Sequence, residues 1–159
     1  NKIFAKTKIS NFYLNNSDSV YLSSDKIDLF HSSNMIKSNK FTLSLNNQNQ
    51  ISSIDTNIKS KNYEYIISSL GEIDTALLSK LLIIDNKIIK GKSLVKSKVS
   101  YNKKSGEINL YASSDLKGVS IDIYESSIKK PKEKLNTTLN YQYSSSVSYP
   151  IKISVDKHN

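Results

Sequence analysis

The sequence predicts a mainly β protein, an antiparallel sheet of hairpin-connected strands with one short amphipathic helix. Three observations predict it. Apolar residues alternate with polar ones along most of the chain, as in Phe41, Leu43, Leu45 and again in Ile108, Leu110, Ala112. Successive side chains of a strand point to opposite sides, so such period-two runs give one apolar and one wetted face. The apolar share is 37%, below the roughly 45–50% of ordinary globular domains, which suits a sheet with a single apolar face better than a core sealed on every side. Leucines at helical spacing occur in one place only, between Gly71 and Ile84.

Taken in order, Lys2 to Leu14 predicts an entering strand in which Ile3, Ala5 and Ile9 alternate imperfectly with lysines and threonine. Asn15-Asn16-Ser17-Asp18 predicts a turn, because these side chains hydrogen-bond their own backbone. A second strand is expected from Val20 to Phe30. Val20 and Leu22 share one parity whereas Ile27 and Leu29 share the other, which predicts a bulge near Ser23 to Asp25, since one extra residue flips the facing of all that follows. Phe41 to Leu45 is a third strand, closed by the polar tract Asn46 to Gln50. Ile51 to Ile58 is a weaker strand, and Tyr63 to Leu70 a further one with both faces partly apolar.

Ile73, Leu77, Leu78, Leu81 and Leu82 recur at helical spacing, and Asp74 is suited to cap an N-terminus. The expectation is a helix at about residues 74–84, stopped at Asp85-Asn86, whose leucine face caps the open end or side of a sheet or gates an apolar groove. After Gly91 the alternation becomes regular. Val95, Val99 and Tyr101 share a face, Asn102 to Gly106 forms a loop, and Ile108, Leu110 and Ala112 return as the second arm of a hairpin. Later strands carry Leu139, Tyr141 and Tyr143, then Val147 to Val155; Pro150 lacks a ladder donor and predicts an edge position.

The 159 residues fit a single domain. The chain opens at Asn1 rather than Met and is expected to be one β-rich segment, 1–159, of a longer protein. There are no cysteines, hence no disulfide framework and no thiolate metal site. All 23 basic residues are lysines and the net charge is +9. A nucleic-acid ligand is not expected, because the lysines are spread over all segments and mixed with acids instead of gathering in a stripe. His31 and His158 are the only imidazoles, neither with partners at metal-ligand spacing, and no nucleophile elbow or phosphate-binding glycine loop occurs. Asp115, Asp122 and Glu125 read as a solvated strand face. No catalytic residue and no cofactor is expected; the chain is not read as an enzyme.

The organising stretch is Ser113 to Pro131, SSDLKGVSIDIYESSIKKP. Val119, Ile121 and Ile123 lie on one face, Ser120, Asp122 and Tyr124 on the other, and Gly118 just before them permits a bend, a bulge or a close backbone approach. Ser-Asp-Leu-Lys-Gly, an alternating apolar strand and then Lys-Pro resembles a segment of the YhdP-type proteins, members of the AsmA-like family of envelope lipid transporters. The resemblance is tightest over Ser114 to Ile123, runs loosely to Lys130-Pro131, and extends weakly upstream through Gly91 to Tyr101. Tyr124 and Ser126 stand where that family has prolines, and no glycine precedes Lys130-Pro131.

The pattern by itself favours an apolar face packed on a second sheet, as in a β-sandwich adhesin or interaction module. The resemblance and the low apolar content favour a curved, groove-like sheet instead. The resemblance implies a periplasmic protein, anchored in the inner membrane outside this segment, that carries glycerophospholipids toward the outer membrane. Its partners would be phospholipid acyl chains, each CH₂ of which costs about 0.8 kcal/mol to expose to water. Val95, Val99, Ile108, Leu110, Val119, Ile121 and Ile123 are the expected groove lining.

Overall fold

The structure, a computed structural model, describes residues 5–16, 20–33, 35–57, 64–82, 85, 87–123, 126–144 and 152–156. Alternation in the first third folds into two long strands, β1 (Ala5–Asn16) and β2 (Val20–Ser32), followed by the short β3 (Met35–Ser38) and β4 (Phe41–Leu45). Then come β5 (Gln48–Asn57), β6 (Glu64–Asp74), helix α1 (Thr75–Leu82) and β7 (Ile89–Asn102). The last part holds β8 (Glu107–Ser114), β9 (Val119–Ile123), β10 (Ser126–Lys129), β11 (Asn136–Tyr143) and β12 (Lys152–Asp156). They form one antiparallel sheet in the order β1-β2-β3-β5-β6-β7-β8-β11-β12. β4 sits beside β3 between β2 and β5, while β9 and β10 join through the first residues of β7.

Several local expectations are refined. Asn15 and Asn16, expected in a turn, pair with Tyr21 and Val20 as strand residues; the rest of that expected turn, Ser17 and Asp18, lies outside the described residues. Asn46 and Asn47, at φ 48° and 63°, make a two-residue hairpin turn between Leu45 and Gln48. Asn tolerates this left-handed backbone, which matches the twist of the flanking strands; Gln48 to Gln50, read as part of a closing tract, therefore already belong to β5. Ile73 lies in the last turnless residues of β6 instead of starting the helix. α1 begins where Asp74 Oδ1 accepts the Ala76 N–H at 2.9 Å, the N-cap bond that its sequence suggested. Asp85 closes the following turn by accepting Lys87 N–H at 2.9 Å. Pro150 lies outside the described residues; β12, just after it, ends the strand order and among the described residues pairs with β11 alone.

The parity conflict in β2 is resolved by paired irregularities. Leu22 pairs with Leu45, and Leu29 with Ser38. On β5, Phe41 and Ile36 face Ser52 and Thr56, which share one parity, so Leu22 and Leu29 fall on the same face of the sheet. The flip is absorbed in the β3–β4 break at Asn39-Lys40, and in β1 by Asn11 at φ 52°, between the pairs Ser10–Lys26 and Phe12–Ser24.

Register lines up the later strands in rows across the sheet. Ile54, Ile67, Val99, Leu110 and Tyr141 are successive partners from β5 to β11. One step away Tyr65, Tyr101, Ile108 and Tyr143 make an aromatic-rich row, the first two rings stacked at 6.2 Å. One step the other way Ser52, Ser69, Ser97 and Ala112 make a row of small residues, continued by Leu139 and Ile153. All three rows share the face over which α1 lies, called the helix face below. Among the described residues only Ile27, Leu77, Val95 and Val119 are buried hydrophobics, and more of the buried positions are Ser or Thr. Among the described residues the apolar face is thus covered locally and not by a second sheet.

Candidate apolar cleft

The turn before β9 is assembled by its own side chains. Ser114 Oγ accepts the Leu116 N–H at 3.0 Å, and Asp115 Oδ1 accepts the Lys117 N–H at 3.0 Å. That second bond, helped by Lys134 at 3.6 Å, holds the Asp115 carboxyl below its usual range. Leu116 is left at φ 48°, an uncommon conformation for a bulky residue, and its side chain lines the cleft described next. Gly118 N–H donates to Pro131 O at 2.8 Å, tying this turn to the one after β10.

Gly118 and Gly91 meet backbone to backbone. A Cβ on Gly91 would collide with the Gly118 carbonyl oxygen and one on Gly118 with the Lys92 carbonyl oxygen, and both residues have left-handed φ, 123° and 93°. Only glycine permits both the approach and the dihedral. The contact lets β9 pair with the start of β7, Gly91 facing Val119 and Ile89 facing Ile121. Over Val119 lies Lys129, 3% exposed, whose Nζ donates to Val119 O at 2.6 Å and to Lys130 O at 3.1 Å. Burial lowers its pKa, against the pull of Glu133 and Asp115.

Between α1, β9 and the ends of β8, β11 and β12 lies a cleft of about 250 Å³. Ile89 and Ile121 enter from one side, Leu139, Ile153 and Val155 from the other, and Thr75 and Ser79 from the helix. No charged side chain lines it. Thr75 Oγ1 is spent on Gly91 O at 3.0 Å, whereas the buried Ser79 Oγ has no hydrogen-bond partner among the described residues.

Of the seven residues expected to line a groove, two meet in the cleft: Val95, 8% exposed, and Ile121, half-buried. Val119 belongs to the same strand as Ile121 but is 0% exposed and has no surface to offer. Ile123 is at the far end of β9 and 37% exposed. Val99 and Leu110 are a cross-strand pair on the helix face beyond the cleft, with Ile108 one row further out. Sequence reading missed Leu139, Ile153 and Val155 as lining. Their alternation was visible, but which strands would end up beside Ile121 was not.

Other chemistry is sparse. His31 Nε2 lies 2.9 Å from Thr7 Oγ1 on neighbouring strands, and His158 is outside the described residues. Among the described residues no three His, Asp or Glu side chains gather as metal ligands. Fold and cleft together define a class: an antiparallel β meander with one short helix, bearing an uncharged cleft on its apolar face. No protein-family profile matches the chain, and no curated protein or solved structure is significantly similar to it.

Proposed function

We propose that this chain shields lipid acyl chains from water, as a segment of an AsmA-like, YhdP-type envelope protein moving glycerophospholipids between inner and outer membrane. The reading carries with it a periplasmic setting and an inner-membrane anchor outside this segment. The observation that carries it is the uncharged cleft, continuous in register with a helix face on which Ile67, Tyr101, Ile108 and Tyr143 remain exposed. At about 250 Å³ the cleft is smaller than the roughly 300–1,000 Å³ of pockets that enclose a small molecule. It suits part of a long guest, with the remainder lying along the apolar rows. Curvature of the sheet around that guest belongs to the proposal. Ser79 Oγ, buried without a partner among the described residues, is the kind of donor an ester carbonyl would satisfy, because an unmet buried hydroxyl is costly. The resemblance of Ser114 to Ile123 supports the same reading.

A photoreactive residue at position 121 in the full-length protein in cells tests it. Crosslinked adducts identified as phospholipid by mass spectrometry are expected; adducts to protein alone would sink the proposal. That second outcome would favour an interaction module, a reading to which the exposed Tyr65–Tyr101 stack lends itself, since aromatic residues anchor protein contacts.

A further inference from the structure

On the opposite face, at the same end of the sheet as the cleft, lies an open groove of about 810 Å³. Lys92 and Lys96 reach it from β7, Lys117 from the turn before β9, and Lys132 from the turn after β10. These four ammonium groups face two carboxylates, Glu72 and Asp115. Asp115 is already engaged by Lys134 and by the Lys117 N–H. None of the four lysines is in an ion pair among the described residues, whereas Lys6, Lys26, Lys37 and Lys134 each are. Four ammonium groups against two carboxylates leave the groove lining net positive, and an anion in the groove would relieve the repulsion among them.

Groove and cleft share lining residues: Ser113, Ser114 and Thr137 belong to both. The reason is a gap in the ladder. On one side of β7, β8 pairs with Lys96 to Asn102 and β9 with Ile89 to Gly91, so Lys92 to Val95 between them have no strand partner there. Ser93 and Ser114 close this seam with a single hydroxyl–hydroxyl hydrogen bond of 2.9 Å. An uncharged cavity and a cationic one therefore adjoin across one hydrogen bond, an arrangement complementary to a molecule with an apolar tail and an anionic head.

Resting on the acyl-chain reading above, we infer that the Lys92, Lys96, Lys117 and Lys132 groove binds the phosphate headgroup of an anionic phospholipid whose tail occupies the cleft. Zwitterionic lipids of the same tail gain less, because their own ammonium group meets the lysines.

The test is lipid retention by the purified full chain after incubation with vesicles of phosphatidylglycerol or of phosphatidylcholine with identical acyl chains. Retention of phosphatidylglycerol is expected to exceed that of phosphatidylcholine by about tenfold at low salt, a size that several partly exposed charge contacts supply together. The combined variant Lys92→Gln, Lys96→Gln, Lys117→Gln and Lys132→Gln should lose that preference. Its unchanged phosphatidylcholine retention would report that the fold is intact. A charge-matched variant at Lys8, Lys40, Lys87 and Lys104 should keep the preference; its loss there too would assign the effect to net charge and overturn the inference. Equal retention of both lipids by the wild type overturns the headgroup site and leaves the acyl-chain reading standing. Retention of neither lipid defeats both. Glycerol phosphate binding as tightly as the lipid would make the groove an anion site independent of the cleft, which also overturns the inference.

Discussion

Along β7 the helix face is covered at one end and bare at the other. Beneath α1, Val95 is 8% exposed, and Val119 on the adjoining β9 is completely covered. Further along β7 and β8, Tyr101 and Ile108 belong to the same alternation and remain 39% and 37% exposed. What differs is the chain that leaves the plane of the sheet. Where the helix lies over β7, side chains lose water; where nothing lies over it, the same pattern stays wet. Alternation assigns a residue to a face, and burial is a separate decision made by whatever packs there.

The largest expected effect strikes the contact that lets β9 pair with the start of β7. Gly91→Ala would add a left-handed alanine against the Gly118 carbonyl and should cost about 3 kcal/mol or more in urea unfolding followed by circular dichroism. A loss near zero would mean the two backbones do not meet. Next, Val119→Ala should cost about 2 kcal/mol, because a fully buried aliphatic side chain is truncated, while Ile108→Ala at the bare end should cost under about 1 kcal/mol. Equal losses would erase the contrast between the ends and show Ile108 to be covered in solution.

The smallest effect is a pH dependence. Because burial lowers the Lys129 pKa in the folded chain, the unfolded chain holds that proton more tightly, and stability should rise with pH between the lowered value and the ordinary 10.5. Comparing urea midpoints of wild type and Lys129→Met across the alkaline range isolates this slope from tyrosine titration. Identical pH profiles would place Lys129 in water.

Several features were legible because they depend on neighbours in sequence. Asp74 as a cap, the loop between Asn102 and Glu107, the Gly118 close approach and the reversal of parity within β2 all follow from local dihedral preferences and period-two facing. The weak reading of Ile51 to Ile58 has an equally local cause. β5 runs through the interior of the sheet, but the helix-face positions Ser52 and Thr56 are polar, so hydrophobic alternation understates a strand whose Ser52 hydroxyl is held 2.7 Å from that of Ser69. The short β3 escaped because Met35 to Ser38 is only four residues, too few to display a period. The cleft was half legible: Val95 and Ile121 were expected in it, while Leu139, Ile153 and Val155 come from strands whose adjacency is set by long-range pairing.

The class of structure, the place of the helix and the parity of the strands are written in spacings of two to four residues and can be read without coordinates. Long-range packing set the rest: Val119 is covered while Ile108 is not, β9 pairs with the first residues of β7, and an uncharged cleft adjoins a lysine-lined groove at Ser93 and Ser114. Those outcomes depend on which distant segments come to lie over which face. A one-dimensional pattern carries no term for that, because the free energy of covering a side chain belongs to the contact and not to the residue.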